Sequence, residues 1–174
     1  MLSDAELTKH SVVLPVPHFR QLLQDPRLLL AFGFGSGLSP IMPGTMGTLV
    51  ALPIYYLMAP LNIWLYIALV VLSILIGNYL CGYAAKKLKV HDHPGIVWDE
   101  FAGMWITMIA VPFSWQTLLA GFVLFRVFDM VKPWPISLAD KHIHGGVGIM
   151  FDDVLAGFAA LACLHGALYL GWLM

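Results

Sequence analysis

Residues 63–83 read IWLYIALVVLSILIGNYLCGY, an apolar run without a charged side chain. About 20 such residues, rising 1.5 Å each as a helix, cross the hydrocarbon core of a bilayer. Lys86, Lys87 and Lys89 follow the run closely, and no basic residue stands just before it. Four more apolar stretches flank it: Met46–Ala59, Ile96–Val111, Thr117–Val131 and Val154–Met174. The last also has spanning length. The other three are shorter and span only with polar ends at the interface; Met46–Ala59 could instead be re-entrant. Segments that meet lipid must be helical, because an unpaired backbone is too costly there. The expected fold is all-α: an integral membrane helical bundle of about five apolar helices.

Composition agrees. The chain has 174 residues, enough for one domain. It is 60% hydrophobic and only 11% charged, where soluble domains are about half apolar and a quarter charged. Much of the surface therefore faces something other than water. A net charge of −1 gives no electrostatic footprint for nucleic acid. Cys81 and Cys163 sit alone in apolar stretches and read as small buried hydrophobes.

At the N-terminus, Asp4 and Glu6 come first, and Pro15 and Pro17 break the apolar run beyond them. That is not a signal peptide, so the tail is expected to be retained and cytoplasmic. Residues 1–32 are read as a cytoplasmic or interfacial segment. Within it, Phe19–Phe32 mixes Arg20, Asp25 and Arg27 with leucines. It reads as an interfacial helix on the inner leaflet, or, because of Pro26, as a loop-plus-helix anchor.

The charges set an expected topology. Lys9, Arg20 and Arg27 precede the first stretch, Lys86, Lys87 and Lys89 follow the second, and Lys132 and Lys141 lie between the fourth and fifth. The connections Pro60–Asn62 and Pro112–Gln116 carry no charge. Five spans with the N-terminus inside put every basic loop on the cytoplasmic side. The acids collect there too, with Asp92 and Asp140 in those loops.

Four motifs carry candidate chemistry. In IVWDEFAGMW (96–105), Asp99 and Glu100 begin an apolar helix. One acid would complement the helix dipole; adjacent acids at interface depth, followed by Gly103, point to a bound cation. In FRVFDMVKPWPI (125–136), Arg126, Asp129 and Lys132 share one helix face. They read either as buried salt pairs or as a metal-binding acid between two phosphate-binding cations. In GGVGIMFDDVLAG (145–157), the glycines read as a tight turn, and Asp152 and Asp153 as the first turn of the next helix. Paired acids repel, and a divalent ion removes that cost. In GFGSGLSPIMPGTMGTL (33–49), the glycines leave backbone N–H groups uncovered, and Gly44, Thr45, Gly47 and Thr48 lie where a helix starts. Such a loop can cradle phosphate, although it has no Walker A lysine.

Histidines are expected to play a lesser part. The pairs His91–His93 and His142–His144 invite a zinc reading, but carboxylates dominate the helix ends, and oxygen ligands suit Mg²⁺. Surface or lipid-facing roles are expected for them, and a polar packing contact for His165. Together the motifs would assemble an acidic cluster, two cations and a phosphate cradle at one membrane surface. That inventory suits Mg²⁺-assisted phosphoryl transfer to water.

These four motifs, in their order along the chain (33–49, 96–105, 125–136, 145–157), resemble the phosphatidylglycerophosphatase A family across most of Leu30–Gly157. The resemblance implies a membrane phosphatase domain over residues 33–174. It implies Mg²⁺-dependent hydrolysis of phosphatidylglycerophosphate to phosphatidylglycerol and phosphate at a bacterial inner membrane. It further implies Asp99, Glu100, Asp129, Asp152 and Asp153 as the carboxylates of the site, both catalytic and metal-binding. Arg126, Lys132, Gly44, Thr45, Gly47 and Thr48 are then the groups for the substrate phosphate. Direct attack by water and a covalent aspartyl-phosphate both remain compatible with these residues. The rival class is a non-enzymatic cation carrier or lipid-binding protein, which would need acids lining a path to both sides. The sequence sets no oligomeric state.

Overall fold

The computed structural model describes residues 16–90, 93–134, 136–138 and 145–173. The N-terminal tail with Asp4, Glu6 and Lys9 lies outside the described residues, as do His91, Asp92, Asp140, Lys141, His142 and His144. Every described element is helical.

Phe19–Phe32 forms two short helices, α1 (Phe19–Gln24) and α2 (Pro26–Ala31), rather than one. Asp25 divides them: its carboxylate accepts the Arg27 backbone N–H at 3.1 Å, and Pro26 occupies the first helical position. Leu22, Leu28, Ala31 and Phe32 are buried, so the pair is docked on the bundle rather than lying apart from it. The second carboxylate oxygen of Asp25 accepts bonds from Tyr83 Oη and Lys87 Nζ, both at 2.6 Å. Burial alone would raise this carboxyl; the bonds from Lys87, Tyr83 and Arg27 outweigh it and hold the group well below the usual carboxylate range.

A tight 3₁₀ segment (Gly33–Leu38) leads to α3 (Pro43–Met58), α4 (Ile63–Leu88), α5 (Trp98–Thr107), α6 (Trp115–Val131) and α7 (Gly145–Tyr169). By length and composition, α4 and α7 can each cross a membrane. α3 is one continuous helix with Pro53 inside it.

The short stretch Ile96–Val111 gives α5. Its ten residues rise only about 15 Å, and nine of them are buried. The helix ends at Thr107, and just beyond it Ala110 adopts a left-handed φ of 56° and Pro112 follows, so the helix does not resume. α5 is thus the centre of the bundle, packed against α3, α4, α6 and α7. Its indoles tie it in place: Trp98 Nε1 donates to the Ser73 carbonyl and Trp105 Nε1 to the Ala51 carbonyl, each at 3.1 Å. α5 and α7 approach closely at Gly103 and Gly157. A Cβ on Gly157 would lie 2.6 Å from the Gly103 carbonyl oxygen, so small residues set this crossing.

The outer face of α4 is the reverse of a soluble surface, with Trp64, Leu65, Leu72, Leu75 and Tyr79 all exposed. The two cysteines part company. Cys81 is buried beside Met150, but Cys163 is exposed on α7, contrary to expectation. His165 does make a polar packing contact, with its Nε2 2.9 Å from the Ile109 carbonyl.

Candidate active site

Four helices bring their polar residues to one end of the bundle. The start of α3 supplies Met42, Pro43 and Gly44, and the first turn of α5 supplies Asp99 and Glu100. The end of α6 supplies Arg126, Asp129 and Lys132, and α7 supplies Asp152 and Asp153. All of these line one cavity of about 310 Å³. The five carboxylates and both cations expected from the sequence therefore share a single space.

Their pairing is specific. Arg126 Nη1 donates to Glu100 Oε2 and, at 2.7 Å, to Asp129 Oδ2. Glu100 Oε2 also accepts the Thr48 hydroxyl at 2.9 Å. Lys132 ends α6 in a left-handed conformation (φ 44°), and its Nζ stands 2.5 Å from Asp152 Oδ2. Asp153 is only 3% exposed, forms no ion pair among the described residues, and its buried Oδ2 has no hydrogen-bond partner. Asp99 Oδ1 accepts the Glu100 backbone N–H at 3.1 Å.

Two local expectations are revised. Asp152 and Asp153 do not open their helix. α7 begins at Gly145, so they lie two turns inside it and cannot serve as its caps. The glycines form the first turn of α7, where a Cβ on Gly146 would meet the Asn78 carbonyl at 2.2 Å; they let α7 pack on α4. In the first part of the glycine loop the amides are not left uncovered. The Gly35 and Gly37 N–H groups both bond to the Phe32 carbonyl, at 2.9 and 3.1 Å.

The phosphate-facing residues of that motif separate by position. Gly44 lies so close to Glu100 that a Cβ would sit 1.9 Å from Oε1. Thr45 carries a buried hydroxyl with no hydrogen-bond partner. Gly47 packs against Val97, and Thr48 is fully buried with its hydroxyl committed to Glu100 and to the Gly44 carbonyl. Gly44 alone of the four lines the cavity.

His93, expected at the surface, is instead buried in the cavity wall. Its Nδ1 accepts the Gly95 N–H at 3.0 Å and its ring tilts against Phe32, 5.5 Å between centroids. The sequence signal for this placement is the His-Pro-Gly turn running directly into the helix that carries Asp99 and Glu100.

Oxygen donors suit a hard divalent cation, and the unsatisfied Oδ2 of Asp153 is a buried acceptor that such an ion would satisfy. Among the described residues no three His, Cys, Asp or Glu side chains are already gathered into a metal-holding group; in this arrangement Arg126 and Lys132 supply the counter-charge. The residues fit the ion in donor type and in shared location. A larger cleft of about 610 Å³ lies beside Asp25, Arg27 and Lys87. It contains one acid already neutralised by its neighbours, so it offers no comparable phosphoryl chemistry.

Known proteins resemble the chain closely. The family model for phosphatidylglycerophosphatase A matches residues 29–168. A phosphatidylglycerophosphatase A of Escherichia coli is 56% identical over 147 residues, covering 84% of this chain and 86% of that protein. One from Haemophilus influenzae is 43% identical over 154 residues, covering 87% and 93%. No solved structure matches the chain.

Proposed function

Since this chain belongs to the phosphatidylglycerophosphatase A family and is therefore a lipid phosphatase, we propose that its cavity hydrolyses the phosphomonoester of phosphatidylglycerophosphate, releasing phosphatidylglycerol and inorganic phosphate. One observation carries the assignment to this cavity. Five carboxylates and two cations, drawn from three motifs distant in sequence, line one space at the polar end of an otherwise apolar bundle.

The roles follow from the pairing. Arg126 and Lys132 can turn their remaining N–H groups to phosphate oxygens, Arg126 in bidentate fashion. The uncapped first turn of α3 at Gly44 adds backbone N–H groups and a positive dipole end. Asp153, which forms no ion pair among the described residues, is the base that takes a proton from attacking water. The new bond joins that water's oxygen to phosphorus, the bond from phosphorus to the glycerol oxygen breaks, and a proton passes to the departing oxygen. Asp99, Glu100, Asp129, Asp152 and Asp153 would hold Mg²⁺, which when bound polarises the phosphoryl oxygens and lowers the pKa of a coordinated water.

The setting we propose is a bacterial inner membrane, crossed several times, with the cavity on the cytoplasmic side. The exposed apolar face of α4 supports immersion in lipid. Lys86, Lys87 and Lys132 stand at the cavity end, while the connections at the far end carry no charge. An acidic path to that far side, which a cation carrier needs, has no residues to form it.

Phosphate release from phosphatidylglycerophosphate in mixed micelles tests the reading. Release with Mg²⁺, its loss in EDTA and its return on adding Mg²⁺ are expected. Undiminished release in EDTA would remove the metal from the mechanism, and no release under any condition would remove the substrate assignment.

A further inference from the structure

The mouth of the cavity is polar within and apolar at its rim. On one side Ile41 and Met42 precede α3; on the other Met130 and Val131 close α6. These side chains are 74%, 52%, 61% and 69% exposed, and Met42 and Met130 themselves line the cavity. Apolar side chains on the edge of an ion-paired pocket are not a random placement; such patches mark where something apolar rests.

The backbone enforces the arrangement. Met42 adopts φ 49° and ψ 58°, a left-handed conformation disfavoured for a side chain of its size. Lys132 does the same at the end of α6 (φ 44°). Both residues line the cavity, one on each flank. Strain of this kind persists where the surrounding structure over-determines it, and it clusters at ligand sites. At Met42 the turn starts α3 with the side chain outward and the bare Gly44 backbone inward. At Lys132 it ends α6 with the ammonium turned onto Asp152 and leaves Met130 and Val131 on the outer surface.

The helices also leave a way in. α3 and α6 both pack on α5, yet they make at most marginal contact with each other. The boundary between them lies at the cavity, which residues of both line.

From these observations we infer that the lipid enters sideways, through the seam between α3 and α6. Its phosphate reaches Arg126 and Lys132 while its acyl chains stay outside, against Ile41, Met42, Met130 and Val131. The inference rests on the reading of the cavity as a lipid phosphatase site and goes further, by requiring a diacyl substrate presented from within the leaflet.

A phosphatidylglycerophosphate carrying a photoreactive diazirine midway along one acyl chain tests it in bilayer vesicles. The expected result is phosphate release from the probe, with crosslinks concentrated in the peptides holding residues 41–46 and 127–131 and suppressed by excess unlabelled substrate. Crosslinks on the outer face of α4 from a probe that is still hydrolysed would overturn the entry route and leave the phosphatase reading intact. Failure to hydrolyse the probe, with hydrolysis of the natural lipid also absent, would sink both. A second measurement needs no label. In Met130→Asp, the ratio of kcat/KM for a 16-carbon diacyl substrate to that for a 6-carbon one should fall about tenfold, and an unchanged ratio would also overturn the route. Because the ratio is taken within one protein preparation, partial misfolding of the variant cancels.

Discussion

Lys132 and Asp152 meet across two helices, the ammonium of the left-handed residue that ends α6 lying 2.5 Å from a carboxylate two turns inside α7. The contact joins the end of one motif to the middle of another. With Arg126 linking Glu100 and Asp129, it forms a site in which each cation is held by acids, which in the proposed reaction would share it with a phosphate.

Asp153→Asn removes the one cavity aspartate that this scheme uses as a base while keeping its shape. The expected loss in kcat is at least about 100-fold, the scale of general base catalysis, with KM little changed. Steady-state phosphate release on purified protein measures both. A kcat within a few-fold of the parent would transfer the base role elsewhere.

Arg126 is expected to tolerate neither loss nor simple replacement of its charge. Arg126→Gln and Arg126→Lys should both lose activity, because one guanidinium serves Glu100 and Asp129 together and a lysine cannot reproduce its fork. The double variant Arg126→Gln with Glu100→Gln should be less impaired than the product of the two single losses, since each single change leaves a buried partner uncompensated. A double-mutant cycle in kcat/KM reads this directly; strict additivity would mean that the two groups act independently.

Gly157→Ala places a methyl against the Gly103 carbonyl, a backbone atom that cannot swing aside. Overpacking of this kind costs about 1–3 kcal/mol. A lower Tm in detergent, with Gly166→Ala as a control at an open position, is the expected outcome.

Asp25 gives a pH-dependent contribution whose sign is set by its lowered pKa. An unfolded aspartate titrates near about 3.9. The stability from its bonds to Lys87, Tyr83 and Arg27 is therefore complete above that value and is lost as pH falls through it toward the folded pKa. Asp25→Asn should melt below the parent at neutral pH, and the gap should narrow as the pH drops below about 4. A gap that widened on acidification would contradict the pairing.

The orientation of α7 gives a prediction for the intact membrane. Its cavity end carries Asp152 and Asp153, and its other end leads to the C-terminus. A periplasmic reporter fused after Met174 should be active, and exposed Cys163 should react with an apolar maleimide but resist a membrane-impermeant one. Labelling of Cys163 by the impermeant reagent in sealed vesicles would place that face of α7 in water.

Much of this molecule can be read one residue at a time. The helical class, the long runs that become α4 and α7, and the identity of the carboxylates and cations follow from apolar length and from charge placed beside it. Those properties are local: a charge is costly in lipid wherever the chain later goes. The pairing is not legible in that way. Arg126, Asp129 and Lys132 look equivalent on one helix face, yet Lys132 leaves the helix for Asp152 while Arg126 turns to Glu100. His93 looks peripheral until the turn at Gly95 folds it inward. The apolar run 96–111 looks like a short span until packing on four neighbours makes α5 the core of the bundle. Only the tertiary structure decides such matters, because they depend on which surfaces meet, and contacts between residues dozens of positions apart leave no periodic mark in the sequence.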